Sequence, residues 1–86
     1  MRGELVVIKD ISGNPLVRRV WEADRRAVYV TDEKGFACLQ AGEDLLPVGF
    51  RREDVFVYKP GIEKEISDGR LSWDKLTPLS SVTNEG

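Results

Sequence analysis

Eighty-six residues are enough for one small domain, which buries only roughly 60% of the surface of its unfolded chain. With 41% hydrophobic and 33% charged residues, the chain is too apolar for a disordered protein and too polar for a membrane protein. Apolar runs such as Leu5–Ile8 are four residues long, whereas a transmembrane helix needs about 20. The first residues lack the apolar segment of a signal peptide, so we expect neither export nor a membrane partner.

The charges are balanced along most of the chain. The net charge is −2: residues 1–59 carry ten basic and ten acidic side chains, and residues 60–86 carry three basic and five acidic ones. Proteins that bind duplex nucleic acid usually have a clear basic excess, so the charge balance argues against a nucleic-acid partner.

Cysteine and histidine usage excludes several kinds of site. The chain has a single cysteine, Cys38, and no histidine. It therefore has no internal disulfide, no catalytic triad or general base built on histidine, and no zinc site made of thiolates and imidazoles within one chain. Small secreted domains usually contain several disulfides, so we expect a cytoplasmic protein. Cys38 lies in an apolar run, which predicts a buried thiol that packs as a small hydrophobe.

Taken in chain order, five short stretches are rich in β-branched and aromatic residues. They alternate with turn residues such as Gly13-Asn14-Pro15 and predict strands at residues 4–8, 16–22, 27–31, 36–40 and 55–58. Pro47 and Gly49 argue against a long strand near residues 45–54, and Arg51–Asp54 fits one helical or 3₁₀ turn. Turn signals about every ten residues favour a small antiparallel barrel or sandwich.

The last part of the chain lacks this regular spacing of strands and turns. We assign residues 1–61 to a small β-barrel domain and residues 62–86 to a poorly regular C-terminal extension. Ile62 and Ile66 have the spacing of one helical turn. We expect three apolar residues to dock back on the barrel and the end, from residue 80 onward, to fray. The docking residues are Leu71, Trp73 and Leu76.

The second and third strands predict a hairpin. If its loop is Asp24–Arg26, Trp21 faces Tyr29 and Arg19 lies beside this aromatic pair on the outer face. The core face then consists of Val20, Val28 and Val30. A loop of two or four residues would instead place Trp21 opposite Val28 and in the core.

The segment Gly49-Phe50-Arg51-Arg52-Glu53-Asp54-Val55, which precedes the last predicted strand, resembles the corresponding part of an SH3-like barrel. In such barrels a short 3₁₀ turn commonly precedes the final strand. The resemblance covers residues 4–58 and implies a mostly-β fold, a five-stranded antiparallel SH3-like barrel. The ALYDY-type motif of peptide-binding SH3 domains is missing, so the resemblance implies no binding residues.

No motif indicates catalysis, a cofactor or a metal. The chain has no Walker pattern, no GxGxxG and no EF-hand spacing. Acidic pairs at Asp32-Glu33, Glu43-Asp44 and Glu53-Asp54 fall in predicted turns, where carboxylates usually face solvent. Arginine pairs begin at Arg18, Arg25 and Arg51, and we interpret them as partners of the equally numerous acids.

The sequence therefore predicts a non-enzymatic interaction module that binds a peptide or partner protein through an aromatic and arginine surface. The candidate binding residues are Arg19, Trp21, Tyr29, Phe56 and Tyr58. Two alternatives stay open: a barrel that stacks single-stranded nucleic acid on its aromatics, and a structural subunit of a homo-oligomer.

Overall fold

The computed structural model describes residues 2–81 and shows one five-stranded antiparallel sheet flanked by short helices. The strands are β1 (Leu5–Lys9), β2 (Pro15–Ala23), β3 (Ala27–Thr31), β4 (Val48–Arg51) and β5 (Val55–Val57). The helices are α1 (Glu33–Gln40) and α2 (Ile62–Ser67), and three 3₁₀ turns span Arg52–Asp54, Trp73–Lys75 and Leu79–Ser81. No helix within residues 2–81 is long and apolar enough to cross a membrane.

The sheet is curled but open. Its strand order is β4-β3-β2-β1-β5, so the two edge strands are joined only by the three-residue turn Arg52–Asp54. Four Cα steps reach at most about 15 Å, whereas a flat five-stranded sheet would separate its edges by about 19 Å. The sheet must therefore bend, yet β4 and β5 do not pair. The mostly-β prediction is confirmed, whereas the closed SH3-like barrel is not.

Four of the five predicted strands and the 3₁₀ turn at Arg52–Asp54 are confirmed. The strand predicted at residues 36–40 is wrong, because this stretch belongs to α1. The fourth strand is β4 instead. It begins directly after Pro47, which needs no ladder hydrogen bond at that position.

Capping residues explain why this apolar run is helical. The carboxylate of Asp32 accepts a hydrogen bond from the Gly35 N–H at 2.7 Å, which satisfies one of the first-turn donors. At the other end Gly42 takes a positive φ of 85°. Its N–H donates to the Leu39 carbonyl at 3.1 Å, and the Glu43 N–H donates to the Cys38 carbonyl at 3.0 Å. This pair of bonds is a Schellman motif.

One hydrophobic cluster lies on the inner, concave face of the sheet. It contains the three valines predicted for the core face, so that prediction is confirmed. The buried members are Val6, Ile8, Val20, Val28, Val30, Val55 and Leu79.

A second cluster lies on the outer face of β1 and β5. Its buried members are Val7, Phe56 and Ile62, and the C-terminal segment packs over them. The predicted docking of this segment is confirmed, since Ile66, Leu71, Trp73 and Leu76 all contact the cluster. The predicted helical turn is confirmed as α2. Most of the end predicted to fray lies outside the described residues.

The hairpin between β2 and β3 has the predicted three-residue loop but a different register. Val20 lies opposite Val30, while Glu22 lies opposite Tyr29, so a bulge at Trp21 inserts one extra residue into β2. The predicted cross-strand pair of Trp21 and Tyr29 is therefore wrong. The bulged residue has no direct partner on β3 and turns towards α1.

Candidate functional site

A cleft of about 500 Å³ opens on the concave side of the sheet. Ile8, Val30 and Phe50 form part of its floor, α1 forms one wall, and residues 45–47, at the end of the loop after α1, form another. A cleft of this size and apolar lining falls within the range of known ligand sites. The N-cap at Asp32 and the Schellman motif fix the two ends of this helix.

The rim of the cleft carries exposed aliphatic side chains. Leu45 is 41% exposed, Leu46 92% and Val48 58%. All three line the cleft, so apolar surface runs continuously from its floor to solvent. Single exposed leucines are ordinary, whereas a contiguous apolar patch is a feature that many interaction surfaces share.

Three charged side chains also line the cleft: Arg18, Asp32 and Lys34. Arg18 is partly buried, and its Nη1 donates to the Val17 carbonyl at 2.8 Å. Asp32 already accepts the capping bond of α1. The two cations and one anion give the cleft a positive balance, opposite to the net charge of −2 of the whole chain.

The sheet edge next to the rim is open, while the opposite edge is covered. On β5 the Val57 N–H donates to the Thr77 carbonyl at 2.9 Å, and Phe56 forms a bridge with Pro78. Within the described chain, β4 pairs with β3 alone. An edge strand of this kind offers unpaired backbone groups to a partner.

Two of the predicted binding residues, Arg19 and Trp21, are engaged with α1 and the N-terminal segment. The Arg19 guanidinium pairs with Glu33 at 2.6 Å and donates to the Gly3 carbonyl at 2.6 Å. Trp21 is half-buried beneath Arg2, whose guanidinium carbon lies 4.1 Å from the ring centroid. Their contacts anchor α1 rather than leaving a free surface.

Tyr29 occupies a third environment. It lies opposite Glu22 on one side and Gly49 on the other, and is half-buried. A Cβ at Gly49 would come within 2.9 Å of Tyr29 Cε1, so the ring lies over the glycine. Such packing covers the missing side chain of a strand glycine.

The remaining two predicted residues lie beneath the C-terminal segment. Phe56 is only 7% exposed and packs against Trp73 with ring centroids 4.9 Å apart, so its expected exposure is wrong. The Tyr58 hydroxyl donates to Glu63 Oε1 at 2.8 Å. This hydrogen bond to the carboxylate, aided by desolvation, raises the pKa of Tyr58 above its usual 10.0. The five predicted residues therefore do not form one surface.

The interpretation of the arginine pairs as partners of the acids is confirmed for Arg19 and Arg51, whereas Arg18, Arg25 and Arg26 form no ion pair within residues 2–81. Arg51 pairs with Glu53 at 3.9 Å and with Asp54 at 3.2 Å. Arg25 and Arg26 are exposed in the hairpin loop. No cluster of three metal-ligating side chains occurs in residues 2–81.

Sequence reasoning missed the cleft, because its rim falls in the stretch that showed no regular pattern. One sequence feature could have indicated it: Leu45-Leu46-Pro47-Val48 is an apolar run that lies outside every predicted strand and helix. The predicted burial of Cys38 is also wrong: the thiol is partly exposed and lines the cleft.

No protein-family profile, curated protein or solved structure matches this chain.

Proposed function

We propose that this protein is a non-enzymatic interaction module whose cleft and adjoining β4 edge receive a segment of a partner protein. The observation that carries the proposal is the continuity between the apolar cleft and the exposed side chains of Leu45, Leu46 and Val48. Burying such a patch is favourable by about 25 cal/mol for each Å² of apolar surface. The absence of histidine and of nucleotide-binding motifs from the sequence agrees with a role without catalysis.

The rim favours a polypeptide over a small ligand. A small molecule within the cleft would leave most of Leu46, which is 92% exposed, in contact with water. A peptide can cover the rim and also place its backbone beside the open edge of β4, where unpaired backbone groups are available. The cleft therefore replaces the surface of Arg19, Trp21 and Tyr29 as the proposed site, because those side chains are engaged within the protein.

We also propose an SH3-like fold and a cytoplasmic location for this domain. The strand order and the turn at Arg52–Asp54 support an SH3-like arrangement whose sheet has opened on the cleft side. The single cysteine supports a reducing, cytoplasmic compartment.

Selection from a random 12-residue phage-displayed peptide library on the intact protein tests this function. The enriched peptides are then measured on a Leu46→Gln/Val48→Thr variant, which removes rim apolarity, and on Ile11→Gln as the matched control. Ile11 is fully exposed in the turn between β1 and β2 and does not line the cleft. We expect the double variant to weaken binding about tenfold, as loss of a hot-spot contact does, and the control to leave it unchanged.

Three results would contradict the proposal. One is the absence of enriched peptides that depend on Leu46 and Val48. Another is concentration-dependent dimerisation in sedimentation that the double variant abolishes, which would assign the rim to a second copy of this chain. The third is tight, salt-sensitive binding of single-stranded oligonucleotides that the rim substitutions weaken. Circular dichroism of each variant checks that it is folded.

A further inference from the structure

Arg18 occupies a core-facing position on β2. Strand alternation places it on the concave face between Leu16 and Val20, and Val20 is fully buried. Its side chain thus enters the cleft among Ile8, Val30 and Phe50. Arg18 is half-buried, and no buried side-chain nitrogen in residues 2–81 lacks a hydrogen-bond partner, so its remaining N–H groups are accessible to a partner of opposite charge.

Arg18 has few polar partners within the described residues. Its side-chain hydrogen bond goes to the carbonyl of its own neighbour, Val17. The arginines that form ion pairs within residues 2–81 are Arg2, Arg19 and Arg51, and each has a carboxylate within 4.0 Å. A guanidinium has five N–H donors in a planar fork, so most of the hydrogen-bonding capacity of Arg18 is unused by the described chain.

The other charged side chains of the cleft add to its preference for an acidic partner. Lys34 extends from α1 and lines the same cleft. The carboxylate of Asp32 is committed to the N-cap of α1, where it accepts from the Gly35 N–H. An incoming segment therefore meets apolar walls, an arginine fork and a second cation.

We infer that the cleft accepts a partner segment that combines aliphatic or aromatic side chains with an acidic residue, and that the acidic carboxylate pairs with Arg18. This inference rests on the proposed function, since it names the chemistry of the partner at the same cleft. Charge complementarity argues for it: a carboxylate can accept two parallel N–H bonds from a guanidinium, and the site has a positive balance. The apolar part of the segment covers Leu45, Leu46 and Val48.

A double-mutant cycle on the selected peptides tests the pairing. Peptides enriched on the intact protein should carry Asp or Glu at a constant distance from their apolar positions. Replacing that acid by its amide should weaken binding to the intact protein about tenfold, as loss of a charge-assisted hydrogen bond does. On an Arg18→Gln variant the same replacement should change affinity less than about twofold.

Two further variants sharpen the assignment. Arg26→Gln is the matched control, because Arg26 is exposed in the hairpin loop and does not line the cleft; it should preserve the tenfold preference. Arg18→Lys keeps the charge but loses the fork, and should retain part of the preference. Thermal unfolding of each variant checks that it is folded at the assay temperature.

The outcomes separate this inference from the proposed function. Peptides that depend on Leu46 and Val48 but tolerate the amide overturn the acidic-partner inference and leave the proposed function standing. An acid preference that Lys34→Gln removes and Arg18→Gln does not overturns the role of Arg18. A selection without peptides dependent on the cleft overturns both.

Discussion

The ring of Trp21 packs edge-on against the ring of Phe36, with centroids 5.7 Å apart and planes inclined at 77°. This contact joins the bulge of β2 to α1 and thereby ties one wall of the cleft to the sheet. Phe36 also approaches Gly3, since a Cβ on that glycine would lie 3.5 Å from Phe36 Cζ. Phe36 thus holds α1 against β2 together with the Arg19–Glu33 ion pair.

Replacing Phe36 by Ala should loosen α1 and expose Trp21. Full burial of a Phe makes truncation cost 3–5 kcal/mol, and Phe36 is partly buried, so we expect a loss of about 2 kcal/mol in the free energy of unfolding. In a Trp73→Phe background the remaining indole reports on this site alone. Its fluorescence should move to longer wavelength, and urea denaturation measures the loss of stability.

Phe36→Leu serves as the control, because it keeps an apolar side chain of similar reach. It should lose less than half as much stability. If the Trp21 emission and the unfolding midpoint of Phe36→Ala match those of the background protein, the aromatic contact does not hold α1.

The helix α1 shows where a local sequence pattern is ambiguous. The residues Phe36-Ala37-Cys38-Leu39 form a short apolar run, which periodicity alone cannot assign to a strand or a helix. The capping residues distinguish the two: Asp32 before the run provides the N-cap of a helix, and Gly42 after it provides the C-terminal glycine. Reading these two residues first would have identified the helix.

Local patterns account for four strands and the inner face of the sheet, whereas the bulge and the cleft depend on contacts between segments that are distant in sequence. The strands β1, β2, β3 and β5 and the inner valine face follow from alternation and turn residues. The bulge at Trp21 follows from no local signal, since one extra residue in β2 is stabilised by its contact with α1. The cleft exists because α1 and residues 45–47 stand over an open sheet, a relationship between segments distant in sequence.

Gly35 is expected to be needed for close packing at the N-terminus of α1. A Cβ there would overlap Thr31 Oγ1 and lie 3.0 Å from Asp32 Oδ1 and 3.2 Å from Leu45 Cδ2. Gly35→Ala should improve intrinsic helix propensity by about 1 kcal/mol, but overpacking costs roughly 1–3 kcal/mol and also disturbs the Asp32 cap. We expect net destabilisation of about 1 kcal/mol in urea denaturation.

Removing the obstructing hydroxyl provides the control for this prediction. A Thr31→Ala substitution made together with Gly35→Ala should recover part of the lost stability, so the double-mutant cycle should show favourable coupling. Additive effects of the two substitutions would contradict the assigned steric cause.

Trp73 is expected to secure the C-terminal segment. Its ring packs on Phe56 at 4.9 Å between centroids, and Lys9 Nζ lies 5.2 Å from its centroid. Trp73→Ala should cost about 2–3 kcal/mol, less than a fully buried Trp because the ring is partly exposed. Amide hydrogen exchange should rise in α2, while Trp73→Phe, which retains an aromatic contact, should have a smaller effect. Unchanged exchange in α2 would show that the segment is held by other contacts.

Asp24 is expected to stabilise the hairpin loop in a pH-dependent way. Its carboxylate Oδ1 accepts hydrogen bonds from the backbone N–H groups of Arg26 and Ala27, both at 2.8 Å. These bonds, the one from Ala27 first, lower the pKa of Asp24 below its usual 3.8. Asp24→Ala should therefore destabilise the protein at neutral pH, as judged by urea denaturation.

The sign of the pH dependence follows from the direction of the pKa shift. Because the folded-state pKa of Asp24 is lower than the unfolded one, its stabilising contribution is complete above about pH 3.8 and disappears as the pH falls through the folded-state value. The stability difference between the unmodified protein and Asp24→Ala should shrink over that acidic range. Asp24→Asn is the matched control, since its amide oxygen can accept the same two hydrogen bonds without a charge. It should retain only part of the stability at neutral pH, because a neutral acceptor forms weaker hydrogen bonds than a carboxylate, and it should show no pH dependence from this site. An equal loss in both variants would assign the effect to charge rather than to the hydrogen bonds.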